Sequence, residues 1–129
     1  MELSPEHNRV SGAIVNSAFA VHQALGPGLL ESVYEQCLAQ EFETRGLAFA
    51  HQVALPVVYR DRRLDAGFRL DLVVENLVVI EVKAAERLLP IHDAQLLTYL
   101  KLSGFQLGLL INFNVPLIRS GIKRLVRST

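Results

Sequence analysis

The chain has 129 residues, half of them hydrophobic, which suits one globular domain over residues 1–129 with an ordinary core. Lysine plus arginine equals aspartate plus glutamate at 13 each, so the net charge provides no general attraction to nucleic acid or acidic membranes, and a polyanion would need a local basic patch. The single cysteine excludes an internal disulfide and a multi-cysteine zinc site, and the lack of an apolar leader or an apolar run of roughly 20 residues leads us to expect a cytoplasmic protein without membrane contact.

Two amphipathic helices are predicted at the start of the chain. Apolar residues at spacings of three and four predict a helix over residues 5–25, with Ser4 as its N-cap. The sequence GPG at 26–28 must end this helix. A second apolar stripe between Leu30 and Phe42 predicts another helix of about four turns.

The sequence after the second helix is typical of β-strands. Three predicted strands read AFAHQVALPVVYR, LDAGFRLDLVV and LVVIEVK. Pro56 places the first of them at a sheet edge or at a bulge. A helix is predicted from Pro90 to Gly104, residues 105–113 read as a buried strand, and residues 121–126 form either a short strand or a helix. The order ααβββαβ plus a short C-terminal element predicts an α/β (α+β) fold with a central mixed sheet flanked by helices.

The strand LVVIEVK ends with an acid and a base, Glu81 and Lys83, which share one face because strand side chains alternate. The preceding strand carries Asp71, and the register of the hairpin decides whether it meets Glu81. A two-residue turn would place the two acids on opposite faces, whereas a three-residue loop over 75–77 would place Asp71 directly across from Glu81. Asn76 tolerates the left-handed conformation that such loops need. We therefore predict the register that pairs the two acids.

Two carboxylates that face each other across a hairpin repel, and a divalent cation between them would remove the conflict. Mg²⁺ takes one or two carboxylates together with water and substrate phosphate, and Asp71, Glu81 and the Val82 carbonyl would supply its protein ligands. Lys83 could stabilise the charge of the phosphate. These are the parts of metal-assisted phosphodiester hydrolysis. The alternative from the residues alone is that Glu81 and Lys83 make solvated ion pairs at a frayed strand end.

Three motifs resemble patterns of known nucleases. Asp71 followed by Glu81-Val82-Lys83 resembles the motif of the PD-(D/E)XK nuclease superfamily, although Leu70 stands where the proline of that name would be. GLLESVY at 28–34 is similar to the motif of the GxxExxY protein family, and QLLTY at 95–99 resembles the Q-x-x-x-Y motif of RecB-like nucleases. The resemblance implies a PD-(D/E)XK nuclease-like core and a metal-dependent nuclease that acts on DNA or RNA.

The resemblance also implies roles for single residues. Asp71 and Glu81 would hold Mg²⁺ or Mn²⁺, and Lys83 would help to activate water. Gln95 would orient the site. Glu31 looks like the additional acid that RecB-like members bring to the metal from an N-terminal helix. From the residues alone, the helix dipole already explains an acid in a first helical turn.

Nucleic acid is the partner that the resemblance implies. Tyr99 shares a helix face with Gln95 and would contact the site or the nucleic acid, although by itself it would be typical of a core aromatic. Arg87 after the E-x-K strand, the arginines within 60–63 and the cations within 123–127 would contact phosphates if they lie beside the metal face.

Two other interpretations of the sequence stay open. The first is a non-catalytic nucleic-acid or protein interaction module that keeps the nuclease fold. The second is a homodimer or a structural subunit that binds a partner protein, with the apolar segments LPVVY and NVPLI as contact surfaces.

Overall fold

A computed structural model describes residues 3–128. The helices are α1 (Pro5–Leu25), α2 (Glu31–Thr44) and α3 (Pro90–Ser103). The strands are β1 (Phe49–Ala54), β2 (Val57–Tyr59), β3 (Arg62–Leu64), β4 (Arg69–Val74), β5 (Val78–Lys83), β6 (Leu107–Asn112) and β7 (Ile122–Val126), and a short 3₁₀ helix (Ile118–Gly121) precedes β7. No helix within this part of the chain has the length and hydropathy needed to span a bilayer.

Five strands form a mixed sheet in the order β1-β4-β5-β6-β7, in which only β5 and β6 are parallel. One core packs α1 and α2 against Leu72, Ile80 and their neighbours on one face of the sheet. The other core packs α3, through Leu96 and Leu100, against the opposite face. This arrangement confirms the predicted α/β fold with a central mixed sheet between helices.

The helix ends follow from their local sequence. The Ser4 hydroxyl accepts a hydrogen bond from the His7 N–H and caps α1, as predicted. Gly26 ends α1, and Gly104 ends α3 with a φ of 85° that disfavours other residues. Residues 121–126, which the sequence left open between helix and strand, are mainly strand β7.

Two of the predicted strands are each divided. The segment AFAHQVALPVVYR separates at Pro56 into β1 and β2, because proline lacks the N–H that would continue the ladder. LDAGFRLDLVV likewise separates into β3 and β4 around Gly67. β1 lies at the edge of the sheet, as Pro56 predicted, and β2 pairs with β3 in a separate two-stranded hairpin.

The register between β4 and β5 is the predicted one. Val74 lies opposite Val78, which leaves the three-residue loop 75–77. Asn76 adopts a left-handed φ of 52°, and Glu75 before it does the same with 53°. The Leu77 N–H donates to the Val74 carbonyl at 3.0 Å and closes the loop.

Candidate active site

The regular ladder between β4 and β5 ends where the two acids meet. Leu72 and Ile80 form the last regular pair. Beyond it, the Asp71 N–H donates to Glu81 Oε1 at 3.3 Å, and the Val82 N–H donates to Asp71 Oδ2 at 2.8 Å. The two carboxylates thus take the places of backbone acceptors in the gap between the strands, and a backbone N–H fixes one oxygen of each.

A distortion in β1 accompanies this gap. Gln52 lies opposite Asp71 and has a φ of 53°, a left-handed conformation that is uncommon for residues other than glycine. The alternation of faces along β4 is interrupted at the same point, because Leu72 belongs to the core under α1 and α2 whereas Leu70 belongs to the core under α3. Asp71 therefore lies at the point where the side chains of β4 stop alternating regularly between the two faces of the sheet.

A third acid approaches this point from α2. Glu35 is only 7% exposed, and its Oε1 accepts a hydrogen bond from the Gln52 side-chain amide. The same oxygen lies 2.7 Å from His51 Nε2. Neighbouring strand residues normally point to opposite faces, and the left-handed Gln52 is what allows both side chains to reach one carboxylate. Burial is the main cause of the raised pKa of Asp71, and the negative charge of Glu35 adds to it.

Burial and mutual repulsion oppose ionisation of both Asp71 and Glu81. Burial, followed by the charge of Asp71, raises the pKa of Glu81 from 4.5 to about 8. Burial is also the largest cause of the raised pKa of Asp71, which the Val82 N–H and the charge of Lys83 only partly offset. Two buried carboxylates this close share protons at neutral pH unless a cation neutralises them.

The chemistry of the two carboxylates fits a hard divalent cation. Mg²⁺ and Mn²⁺ take oxygen ligands, and Mg²⁺ commonly uses one or two carboxylates and keeps several waters. The side chains of residues 3–128 contain no group of three histidine, cysteine, aspartate or glutamate residues arranged to hold a metal. Asp71 and Glu81 supply the one or two carboxylates that Mg²⁺ commonly uses, and a cation would replace the proton that burial and the charge of Asp71 otherwise keep on Glu81.

A scan of protein-family models matches residues 8–125 to the PD-(D/E)XK nuclease superfamily. The chain belongs to this superfamily. The match covers nearly the whole chain and includes both acids of the site together with Lys83. A search of curated proteins and a search of solved structures each returned no match.

In this PD-(D/E)XK domain, Tyr99 is the predicted α3 residue that interacts electrostatically with the acids. The charges of Glu81 and Asp71 add to burial in raising the pKa of the Tyr99 phenol, which places this ring within their electrostatic reach. The ring of Tyr99 also packs against Phe68, with 6.1 Å between centroids. Gln95 is half-buried one helical turn earlier on the same face of α3.

Two of the predicted site residues are exposed to solvent. Glu31 is exposed in the first turn of α2, one turn before the buried Glu35. Arg87 is exposed in the segment that links β5 to α3. Sequence reasoning missed Glu35, although an acid between the apolar positions of Tyr34 and Leu38 was a usable signal.

The cations of the C-terminal tail contact the protein itself. Lys123 Nζ lies 2.7 Å from Asp93 Oδ2. Arg124 donates hydrogen bonds to side chains of α1, and Arg127 donates to the backbone carbonyl of Phe105. These cations therefore tie the last strand to α1 and α3.

A buried amide fixes the chain where it leaves β5. Asn112 is almost fully buried at the end of β6, next to Lys83 in the parallel register. Its side chain accepts a hydrogen bond from the Ala85 N–H and donates one to the Ala85 carbonyl, both at 3.0 Å. The signal for this role was a polar residue at the end of an otherwise apolar strand.

The tyrosine of the GLLESVY segment stabilises the turn between α1 and α2. Tyr34 is fully buried and stacks on Phe113 with 4.4 Å between ring centroids. Its hydroxyl donates to the Gly26 carbonyl at 2.6 Å and accepts a hydrogen bond from the Leu29 N–H at 3.1 Å. Gly28 in the same turn has a φ of 97°, which glycine adopts without strain.

Tyr34→Phe should therefore destabilise the fold by about 1–2 kcal/mol, because the partly buried Gly26 carbonyl and Leu29 N–H both lose their partner. Urea denaturation measures this loss. Tyr99→Phe is the matched control, and we expect a change of less than about 0.5 kcal/mol for it. Equal losses in the two variants would show that the Tyr34 hydroxyl does not stabilise the turn.

Proposed function

We propose that this chain is a metal-dependent nuclease that hydrolyses phosphodiester bonds in DNA or RNA. The observation that carries the proposal is the meeting of the Asp71 and Glu81 carboxylates in the gap between β4 and β5, with Lys83 on the same face as Glu81. Membership of the superfamily supports a nuclease as the general class.

We assign the chain more finely to the GxxExxY family and to the RecB-like nucleases. The left-handed Gly28 and the hydrogen bonds of the Tyr34 hydroxyl support the first assignment, because they explain why the motif has glycine and tyrosine at these two positions. The position of Tyr99 near the two acids, one turn after Gln95, supports the second.

In the proposed mechanism, Asp71, Glu81 and the Val82 carbonyl would hold Mg²⁺ or Mn²⁺. When bound, the cation activates water and offsets negative charge on the phosphate. The backbone N–H groups that bind one oxygen of each acid hold the two carboxylates in a fixed geometry before substrate arrives. Lys83 adds a positive charge toward the phosphate from the same face of β5 as Glu81.

We propose Glu35 as a third acid that acts on Asp71 through its charge, without being a third ligand of the metal. It is buried, its charge acts on Asp71, and Gln52 and His51 fix its orientation. Glu31, which the resemblance implies as an additional metal ligand, stays a prediction, and the variants described below compare it with Glu35.

The remaining predicted residues complete the proposal. Gln95 would orient the site from α3, Tyr99 would contact the nucleic acid or the site, and Arg87 would contact phosphate from its exposed position. We also propose a cytoplasmic location, since one half-buried free thiol, Cys37, suits a reducing compartment.

A cleavage assay tests the proposed function. Labelled duplex DNA, single-stranded DNA and RNA are incubated with the protein and with Mg²⁺, Mn²⁺ or EDTA. We expect cleavage of at least one substrate with a cation and none with EDTA. Binding of nucleic acid without cleavage under all conditions would favour the non-catalytic interaction module.

The two acids of α2 provide a matched pair of variants. Glu35→Gln should lower the cleavage rate by roughly tenfold or more, whereas Glu31→Gln should leave it within about twofold, because only Glu35 is buried beside Asp71. Both changes remove one negative charge from one helix, and thermal unfolding shows whether each variant stays folded. A larger loss for Glu31→Gln would assign the third acid to Glu31.

A further inference from the structure

The hairpin formed by β2 and β3, residues 57–64, projects from the end of the sheet that carries the acids. It is a two-stranded sheet of its own and pairs with none of the five strands of the main sheet. It connects Ala54 at the end of β1 to Arg69 at the start of β4, and these two residues pair with each other. Asp71 is only two residues beyond Arg69. We call residues 57–64 the arm.

The outward side chains of the arm have little protein around them. Val58 is 61% exposed, Tyr59 is 64% exposed, and neither belongs to one of the two cores of the domain. A two-stranded hairpin is marginally stable in water by itself. An exposed arm with apolar and aromatic side chains is therefore suited to contact another molecule.

The charges of the arm indicate which kind of molecule. Arg60 and Arg62 are both exposed, and the Arg60 guanidinium lies 5.5 Å from the centre of the Tyr59 ring. Arg63 forms an ion pair with Asp65 at 3.0 Å, but within residues 3–128 Arg62 has no acidic partner. Unpaired arginine beside an exposed aromatic ring fits the phosphates and bases of nucleic acid.

The tip of the arm carries an arginine at an unfavourable position. Arg60 and Asp61 have φ values of 49° and 64°, the left-handed pair of a two-residue hairpin turn. Such turns prefer asparagine, aspartate or glycine, so an arginine at the first position costs stability. Residues kept in unfavourable conformations cluster at functional sites, which favours a contact role for this guanidinium.

Aromatic contacts connect the base of the arm to the site. Phe68 lies between the arm and β4, is 45% exposed, and packs against the ring of Tyr99. Tyr99 in turn lies within the electrostatic reach of Asp71 and Glu81. A polymer held along the arm would therefore pass the two carboxylates.

We propose that the arm binds the phosphate backbone of the nucleic-acid substrate and holds it beside Asp71 and Glu81. Arg60 and Arg62 contact phosphates, and Tyr59 stacks on an exposed base or packs on a sugar. This role rests on the proposed nuclease function and adds a substrate-positioning element that is separate from the cation site.

Binding measurements with EDTA test the arm without requiring cleavage. The probes are labelled duplex DNA, single-stranded DNA and RNA, and the variants are Arg60→Asn and Arg62→Gln. Each should weaken binding of the preferred probe by roughly threefold to tenfold. Each should also make the negative slope of log K against log salt shallower by about 1, because one phosphate contact is lost. Arg60→Asn should leave the melting temperature unchanged or raise it, since asparagine suits the turn.

Arg45→Gln is the control for loss of a positive charge outside the arm, at an arginine that pairs with Glu41 at 3.0 Å. It also removes one positive charge, but it lies at the end of α2, next to the start of β1 and away from Asp71. We expect binding by this variant within about twofold of wild type. In cleavage assays, the arm variants should raise KM while kcat stays close to that of wild type.

The outcomes separate the arm from the nuclease activity. Cleavage by wild type together with unchanged binding and KM in both arm variants would overturn the role of the arm and leave the nuclease intact. Weaker binding by the arm variants without cleavage by wild type would support nucleic-acid binding by the arm and overturn the proposed nuclease activity. A dimer that Tyr59→Ser converts to monomer, with nucleic-acid binding unchanged, would assign the arm to contact with a second copy instead.

Discussion

Asp71→Asn and Glu81→Gln are each expected to lower cation-dependent cleavage by roughly a hundredfold to a thousandfold while the domain stays folded. Each change removes the negative charge from one of the two carboxylates that meet between β4 and β5. An amide oxygen can still accept the hydrogen bond from the Val82 or Asp71 N–H, so the backbone keeps its partners. The cleavage rate at saturating Mn²⁺ measures the effect.

The stability of these variants separates a catalytic from a structural role for the acids. The pair is buried and mutually repulsive, so its relief should leave the free energy of unfolding unchanged or raise it by about 1 kcal/mol. Calorimetry should show that Mn²⁺ binding is lost together with cleavage. Failure of both variants to fold would show that the acids are structural and would refute the metal site.

Asp93→Asn is the control for a carboxylate outside the site. Asp93 lies on α3 and pairs with Lys123 of β7 rather than with any residue of the acidic cluster. We expect cleavage within about twofold of wild type, because an ion pair of this kind contributes little beyond local stability. A loss as large as that of Asp71→Asn would mean that any removed acid disrupts the protein.

The pairing of Asp71 with Glu81 could be predicted from the sequence because local chemistry determines it. The loop 75–77 needs left-handed residues, Asn76 tolerates that conformation, and loop length then fixes the register of the whole hairpin. Strand β6 could also be predicted, because the run LGLLI at 107–111 lacks the polar alternation of a half-exposed strand and so suits a strand covered on both faces.

The parts of the site that arise from long-range contacts could not be predicted in this way. Glu35 reaches Gln52 and His51 only because Gln52 adopts a left-handed φ, and nothing in the sequence around Gln52 indicates that conformation. The arm was also hidden, because a prediction that continued one strand through Pro56 missed the separate hairpin after it. In both cases tertiary packing overrides local pattern.

The stability of the metal-free protein should fall as pH rises from the weakly acidic range to about pH 8. The pKa of Glu81 is 4.5 in its ordinary state and about 8 in the folded protein. Between these two values the unfolded chain has released a proton that the folded chain still binds, so the free energy of unfolding decreases with pH. The stabilisation that comes from protonated Glu81 is complete below its ordinary pKa of 4.5 and is lost as pH rises past its folded-state pKa of about 8.

Chemical denaturation across this pH range, with EDTA present, measures a loss on the order of 2 kcal/mol in wild type. Glu81→Gln has no titrating carboxylate at this position and should show a much flatter profile. Mn²⁺ should restore the stability of wild type near pH 8, because a cation that binds only the folded, ionised pair stabilises it by mass action. A wild-type profile as flat as that of Glu81→Gln would show that the two acids ionise freely, and the repulsion that makes a cation necessary would be absent.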